Sequence, residues 1–295
     1  MAIKDIIDPH LHLFDLNQGD YLWLKPDNPP FWPDKGQINR SFSESDLTAA
    51  PQTLAGFVHI EAGFDNACPW REIAYLEQNC RLPFKIVAFI DITQEENDFN
   101  EQLLQLRAYP SVAGCRHILD QQAEELLKQP KVQKNLARLA AAGLSFDLQM
   151  PLAENEAVKT LAGILEQTPD LKVIINHAGW PPYSGGETAS ANQDKNWQAW
   201  QQGLERLSTF PGVAIKCSGW EMAERRYQMS WAGAVISECL RTFGDKRVML
   251  ASNFPLCLFT APYAALWQDY LALPLNKQQL SLMLSDNART WYGFS

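Results

Sequence analysis

The stretch "IIDPHLHLFD", residues 6–15, places His10 and His12 one residue apart, directly after a short apolar run. In a β-strand, residues i and i+2 point to the same face about 6.6 Å apart, so both imidazoles would face one side. Two neutral imidazoles at a strand end can converge on one metal ion or on one substrate atom. The alternative is a strand edge that carries histidines without a function, and this stretch alone does not decide.

Seven further runs rich in Val, Ile and Phe follow this first run along the chain. In order they are "LAGFVHIEA", "FKIVAFIDI", "VAGCRHIL", "LSFDLQM", "LKVIINHAG", "GVAIKCSG" and "RVMLASNFP". Segments with helical spacing of apolar residues separate them. Eight strand–helix units without a linker predict one α/β domain over residues 1–295, a single (β/α)₈ TIM barrel. A dinucleotide-binding sheet is disfavoured because no strand is followed by G-x-G-x-x-G, and no P-loop is present.

Composition and charge narrow the class of protein. The chain has 295 residues, of which 46% are hydrophobic and 20% charged, the balance of a globular enzyme-sized protein. A net charge of -9 and a pI near 5.1 argue against a nucleic-acid or anionic-membrane partner, so we expect a small-molecule substrate. Because the six cysteines lack C-x-x-C spacing and no signal-like or membrane-spanning run occurs, we expect a reduced, cytoplasmic protein.

A long interruption, residues 14–53, follows the first predicted strand. It contains "YLWLKPDNPPFWP" with Trp23, Phe31 and Trp32, and Ser43 to Asp46 then opens a helix. A loop after the first strand of a barrel lies over the C-terminal mouth, where active sites are found. We therefore predict a partial lid. The alternative is that the three aromatic residues only plug the end of the barrel.

The histidines cluster near predicted strand ends. The chain has five, namely His10, His12, His59, His117 and His177. Random placement would put some of them on helix surfaces, so the clustering favours an active site over a set of buried core histidines.

Seven blocks of the chain resemble, in order, those of the amidohydrolase superfamily (amidohydrolase family 2). They are "IDPHLHLFD", "VAGCRHIL", "AAGLSFDLQM", "INHAGWP", "VAIKCSG", "RVMLASNFP" and "DNARTWYG". The branch that they resemble includes sugar lactonases and 2-pyrone-4,6-dicarboxylate lactonase. The resemblance implies an amidohydrolase-like barrel and a hydrolase that opens a lactone, or a related cyclic ester, of a sugar acid or an aromatic-catabolism intermediate. The alternatives are a metal-dependent decarboxylase or other hydrolase of the superfamily, and a non-catalytic barrel that binds a sugar acid.

The resemblance also implies that His10, His12 and His177 point into the mouth. Members of the superfamily bind one or two divalent metals with such histidines, a Lys or Glu on strand four and a His on strand five. This chain offers Arg116 and Gln149 on those strands, so a binuclear centre is not expected. The prediction is no cofactor, or one zinc or manganese ion on the three histidines.

The eighth-strand Asp of the family falls on Asn253 in this chain. An amide can orient water or donate to an oxyanion, but it has no basic lone pair at neutral pH. We therefore expect another carboxylate to accept the proton of the attacking water, and Glu61 at the end of strand two is the preferred candidate. If that strand is regular, Glu61 shares a face with His59; the alternative is a salt-bridged carboxylate on the rim.

Substrate-binding candidates are Arg116, Trp180 and Trp220. A guanidinium on strand four can bind a substrate carboxylate or hydroxyl pair through two hydrogen bonds. Adjacent residues in a strand face opposite sides, so we expect Arg116 to point inward and His117 to have a structural role. Trp180 and Trp220 follow strands six and seven, where aromatic faces suit sugar rings, with core packing as the alternative.

Overall fold

The computed structural model describes residues 5–49, 52–183 and 191–294. The two ends of the predicted domain, residues 1–4 and 295, therefore lie outside the described residues.

The eight predicted strands all form, and in the described ranges they make one parallel sheet in chain order. The strands are β1 (Asp5–Leu11), β2 (Thr53–Ile60), β3 (Phe84–Phe89), β4 (Val112–Ile118), β5 (Ser145–Gln149), β6 (Val173–Ile175), β7 (Val213–Cys217) and β8 (Val248–Leu250). The segment after β8 closes the sheet on β1, because His12 N donates to Phe254 O at 2.7 Å and Asn253 N donates to His10 O at 2.9 Å. The prediction of a (β/α)₈ barrel is confirmed.

Helices follow the strands, and each helical segment predicted between them contains one. The longer helices are α1 (Trp70–Asn79), α2 (Glu96–Arg107), α4 (Pro130–Ala141), α5 (Asn155–Gln167), α6 (Ala191–Ser208), α8 (Met229–Phe243) and α9 (Tyr263–Leu271). The short helices are α3 (Ala123–Leu127), α7 (Trp220–Ala223), α10 (Lys277–Ser281), a π-helix (Leu282–Asp286) and α11 (Asn287–Tyr292). Pro130 occupies the start of α4, where its missing N–H costs nothing. None of the described helices has the length and hydropathy needed to cross a membrane.

Apolar side chains fill the lower part of the barrel interior. The fully buried side chains there include Ile7, Val58, Val87, Ile174 and Met249. Ala288 and Tyr292 of α11 pack against this layer. Large branched residues at these positions make a solid floor, which leaves the carboxyl ends of the strands to carry polar groups.

The segment between β1 and β2 covers the other end of the barrel. It contains three 3₁₀ turns, Leu22–Leu24, Lys35–Gln37 and Glu44–Asp46, and the last has a Ser43–Asp46 capping box. The Trp23 indole donates to Ala62 O at 2.7 Å, and Asp34 pairs with Arg225 at 2.7 Å. These contacts hold the segment over the barrel mouth, the position that a partial lid requires.

Candidate active site at the barrel mouth

A cavity of about 660 Å³ opens at the carboxyl ends of the strands. The polar residues that line it and follow or end strands are His12, Glu61, Arg116, His117, Gln149, His177 and Asn253. Trp23, Pro29, Pro30 and Trp32 of the lid segment line it as well. Phe31 is not among the lining residues and is 73% exposed, so Trp23 and Trp32 are the two predicted lid aromatics that face the cavity.

The three predicted histidines come together at the bottom of this cavity. The ring centre of His10 lies 5.3 Å from that of His12 and 4.5 Å from that of His177. His12 and His177 line the cavity, whereas His10 is fully buried beneath them. Burial lowers the pKa of all three well below the usual value, helped by the positive charge of Arg116 and, at His10 and His177, by that of Lys216. The three imidazoles are therefore neutral at pH 7.

Hydrogen bonds fix what His12 and His177 can present to a ligand. Nδ1 of His12 lies 2.8 Å from Ile60 O, and because a carbonyl only accepts, Nδ1 carries the proton and Nε2 has a lone pair. Nδ1 of His177 lies 3.1 Å from the hydroxyl of Ser218. When that hydroxyl donates, His177 presents an Nε2–H donor.

A buried ion pair lies below His10. Lys216 Nζ is 2.5 Å from Asp147 Oδ2 and 3.3 Å from His10 Nδ1, and Tyr292 donates to Asp147 at 3.0 Å. Burial lowers the pKa of Lys216 to about 8, against the opposing effect of Asp147, so the ammonium is the main form at pH 7. It donates to His10 Nδ1, which places the imidazole proton on Nε2, a buried atom without a hydrogen-bond partner.

This arrangement does not fit a divalent metal ion. A metal needs a lone pair from each imidazole, but the protonated Lys216 takes that of His10 at Nδ1 and leaves a proton on Nε2. The nearby Asn253 is a neutral amide and supplies no anionic ligand, and the charges of Arg116 and Lys216 act on His10 and His177. Within the described ranges, no group of three or more His, Cys, Asp and Glu residues is arranged to hold a metal. The predicted metal role of the three histidines therefore lacks support in their geometry.

Glu61 and Arg116 form a buried pair in the cavity wall. Arg116 Nε and Nη2 both lie 2.8 Å from Glu61 Oε1, Nη2 also donates to Glu61 O at 2.9 Å, and Nη1 donates to Gln149 at 3.1 Å. Burial raises the pKa of Glu61 in spite of Arg116. Glu61 thus faces the cavity rather than the outer rim, and its partner is a guanidinium that points inward as predicted.

The strand parity assigned to two histidines requires correction. His59 does not share a face with Glu61, because its Nε2 lies 3.1 Å from Glu72 of α1, on the helical side of the sheet. The strand β2 ends at Ile60, so Glu61 follows the regular strand and the alternation of faces does not extend to it. His117 was given a structural role, yet it lines the outer cavity wall 3.5 Å from Asp91.

Asn253 lines the cavity, and a carboxylate that is not predicted from the sequence lies behind it. Asn253 Nδ2 donates to Glu221 Oε1 at 2.6 Å. Glu221 is 2% exposed, and burial raises its pKa to about 7, against the lowering effect of Asn253. In the sequence, the one feature that points to Glu221 is its position in the loop after strand seven, in "SGWEMAER".

The two predicted tryptophans have different places. Trp180 lines the cavity, and its ring centre lies 4.7 Å from that of His177. Trp220 is not at the cavity: it is 1% exposed and its indole donates to the Tyr270 hydroxyl at 2.7 Å. The prediction that Trp220 binds substrate is therefore replaced by core packing between α7 and α9.

Unfavourable backbone geometry concentrates at the mouth. Among the described residues other than glycine, positive φ angles occur at Tyr21 (37°) in the lid segment and, around the mouth, at Asp120 (39°), His177 (54°), Ala178 (50°), Trp180 (55°) and Asn253 (58°). Side chains with a Cβ rarely adopt this region, and such residues cluster at sites where function requires the conformation. The mouth is thus the part of the described structure where strain and buried polar groups coincide.

Known proteins similar to this chain align with most of its length. An uncharacterized protein, y4mH, of Sinorhizobium fredii is 28% identical over 97% of this chain and 98% of its own. An L-fucono-1,5-lactonase of Burkholderia ambifaria is 23% identical over 85% of this chain and 80% of its own.

A solved amidohydrolase from Burkholderia multivorans has the same fold. Its HEPES-bound form has a TM-score of 0.81 and 19% identity, covering 98% of this chain and 99% of its own, and a second crystal form of it contains zinc, with a TM-score of 0.79. The sequence pattern of the amidohydrolase family matches residues 7–294. The chain belongs to the amidohydrolase family and is a hydrolase of that superfamily.

Proposed function

We propose that the protein opens neutral sugar lactones by hydrolysis. The observation that carries this proposal is that neutral histidines surround one cavity together with Glu61 and Arg116, whose opposite charges neutralise each other. The similarity to an L-fucono-1,5-lactonase supports the reaction class.

The charges of the cavity favour an uncharged substrate over a dicarboxylate. Arg116 is the only Lys or Arg among the described lining residues, and Glu61 already binds its guanidinium. Asp120 adds a second carboxyl group to the lining, with a pKa that burial raises. A dianion would meet no free cation here, whereas hydroxyl groups can bond to these acceptors and a sugar ring can lie on Trp180.

The proposed reaction uses groups of this chain only. Water attacks the carbonyl carbon of the lactone while His177 Nε2–H donates to the carbonyl oxygen. Glu61, whose pKa is raised by burial, accepts one proton of the water. The bond from the carbonyl carbon to the ring oxygen then breaks, and that oxygen takes the proton back from Glu61 to give the hydroxy acid.

A decarboxylase that depends on a metal is a weaker candidate, because it would need a divalent ion at His10, His12 and His177. The ammonium of Lys216 at His10 works against such an ion.

The test measures the hydrolysis of a panel of sugar 1,5-lactones by the natural protein and by Glu61→Gln. The acid released at pH 7 reports the rate. We expect turnover by the natural protein and a loss of about 10²- to 10⁴-fold in kcat for Glu61→Gln, the contribution of a positioned general base. A natural protein that opens no lactone would refute the proposed function. Equal kcat values for the natural protein and Glu61→Gln would refute the role of Glu61 as proton acceptor but not the proposed reaction.

A further inference from the structure

Glu221 is a buried carboxylate without a paired cation. Its side chain makes no ion pair among those of the described residues, since the nearby Arg225 pairs with Asp34 and donates to the main-chain oxygen of Glu221 instead. Its hydrogen bond to Asn253, at 2.6 Å, is short for a nitrogen donor. A buried, unpaired carboxyl group destabilises a fold, so its presence directly behind a cavity residue calls for a function.

The main chain of Asn253 is fixed independently of this bond. Its N–H donates to His10 O at 2.9 Å, and its carbonyl accepts from Leu256 N at 2.8 Å and Cys257 N at 3.3 Å. The residue also has a φ of 58°. With the main chain held, the contact with Glu221 sets the rotation of the amide.

The chemistry of the contact sets which end of the amide faces the ligand. An ionised carboxylate only accepts hydrogen bonds, so Asn253 must turn its NH₂ group toward Glu221. The carbonyl oxygen Oδ1 is then the end left for the cavity that Asn253 lines. Without Glu221, either end of the amide could face the cavity.

We propose that Glu221 is a positioning residue for the hydrolysis. It holds Asn253 so that Oδ1 accepts a hydrogen bond from the attacking water and directs the oxygen lone pair of that water at the lactone carbonyl. The inference rests on the proposed function, in which Glu61 remains the proton acceptor.

A four-protein cycle tests this pair: the natural protein, Asn253→Asp, Glu221→Gln and the double variant. At pH 8, Asn253→Asp places two carboxyl groups about 2.6 Å apart, and we expect its melting temperature to fall by at least about 5 °C. The double variant has one carboxyl group again, and we expect it to regain most of that loss. This part of the test does not depend on turnover.

Kinetics at pH 8, above the pKa of about 7 of Glu221, on the sugar 1,5-lactone that the natural protein opens fastest provide the second part. Because glutamine can also donate to Oδ1, Glu221→Gln no longer selects one amide orientation, and we expect kcat to fall about 10- to 100-fold with KM within about twofold. The matched control is Glu72→Gln, which makes the same change at a buried carboxylate that bonds to His59 and not to Asn253, and we expect it to keep the natural kcat.

Each outcome has a distinct meaning. If Asn253→Asp alone is as stable as the double variant, the two side chains do not share a charged contact and the inference is overturned. If Glu221→Gln keeps the natural kcat, or Glu72→Gln loses as much activity, Glu221 does not position Asn253. If the natural protein opens no lactone, the proposed function fails and the positioning role fails with it, whereas the melting temperatures still report on the contact.

Discussion

The two ends of the barrel interior follow opposite rules. At the floor, Ile7, Val58 and Ile174 are fully buried in a continuous apolar layer. At the mouth, neutral histidines, a buried Glu61–Arg116 pair and an unpaired Glu221 share the space with residues at positive φ. The floor therefore stabilises the fold, whereas the mouth holds groups whose burial costs free energy. Substitutions at either end of the barrel test this division.

The largest effect on stability is expected where the two ends meet, at the Lys216–Asp147 pair. Lys216→Met leaves the fully buried Asp147 without its cation, and we expect a loss of about 3–5 kcal/mol in the free energy of unfolding. Urea denaturation at pH 7 measures it. The double variant Lys216→Met/Asp147→Leu should regain much of the loss, and equal stability of natural protein and single variant would contradict a charged pair.

A substitution in the floor should affect stability and not chemistry. Ile174→Ala removes a fully buried side chain of β6, and we expect it to cost about 2–5 kcal/mol because the cavity that it leaves cannot close completely. The same urea experiment gives this number, and lactone kinetics at 20 °C should show kcat within about twofold of the natural value. A large loss of kcat in a fully folded Ile174→Ala protein would show that the two ends are coupled.

The unpaired carboxylate at the mouth should make stability depend on pH. Burial raises the pKa of Glu221 to about 7 from 4.5, so the folded protein keeps a proton that the unfolded chain loses. Stability therefore falls as the pH rises from about 4.5 to about 7, by about 3 kcal/mol for this group. Arg225 and Tyr227 of its own loop, Cys257 after β8 and Tyr270 of α9 are the ionisable groups around it.

Glu221→Gln removes this titration. Denaturation of both proteins at pH 4.5, 6 and 8 should show the variant gaining stability relative to the natural protein as the pH rises. A difference that is constant over this range would mean that Glu221 is ionised in the fold at its ordinary pKa.

The smallest effect is expected at the edge of the lid. Arg225 pairs with Asp34 and lies 4.1 Å above the ring centre of Phe259, but 28% of its side chain is exposed. Arg225→Ala should cost only about 1 kcal/mol or less, because such pairs are screened by solvent. Urea denaturation in low and high salt checks this value. A loss above 2 kcal/mol would indicate that the lid is part of the cooperative core.

Much of the fold could be predicted from the sequence because its signals are local. Apolar runs of strand length alternate with amphipathic helices, and these patterns predicted each strand and the longer helices. The short helix α7 was not predicted, since its four residues, Trp220–Ala223, are too few for a periodic pattern. Trp220 was placed at the mouth for this reason, because its burial depends on Tyr270 about fifty residues later in the chain.

The site could be predicted as a set of strand-end residues, but not as a set of contacts. His10, His12, His177, Glu61 and Arg116 are found together because all follow or end strands of one barrel. Glu61 lies just beyond the end of β2 at Ile60, so the parity argument that joins it to His59 does not hold. Lys216 beneath His10 and Glu221 behind Asn253 are contacts between residues far apart in the chain, and no local pattern marks them.

The most direct test of the central claim, that the mouth is an active site for neutral lactones, is a comparison of kcat/KM for L-fucono-1,5-lactone and for 2-pyrone-4,6-dicarboxylate at pH 7. The account predicts at least about 100-fold preference for the neutral sugar lactone, because Arg116 is bound by Glu61 and no second lining cation is present among the described residues. An equal or faster opening of the dicarboxylate would contradict it.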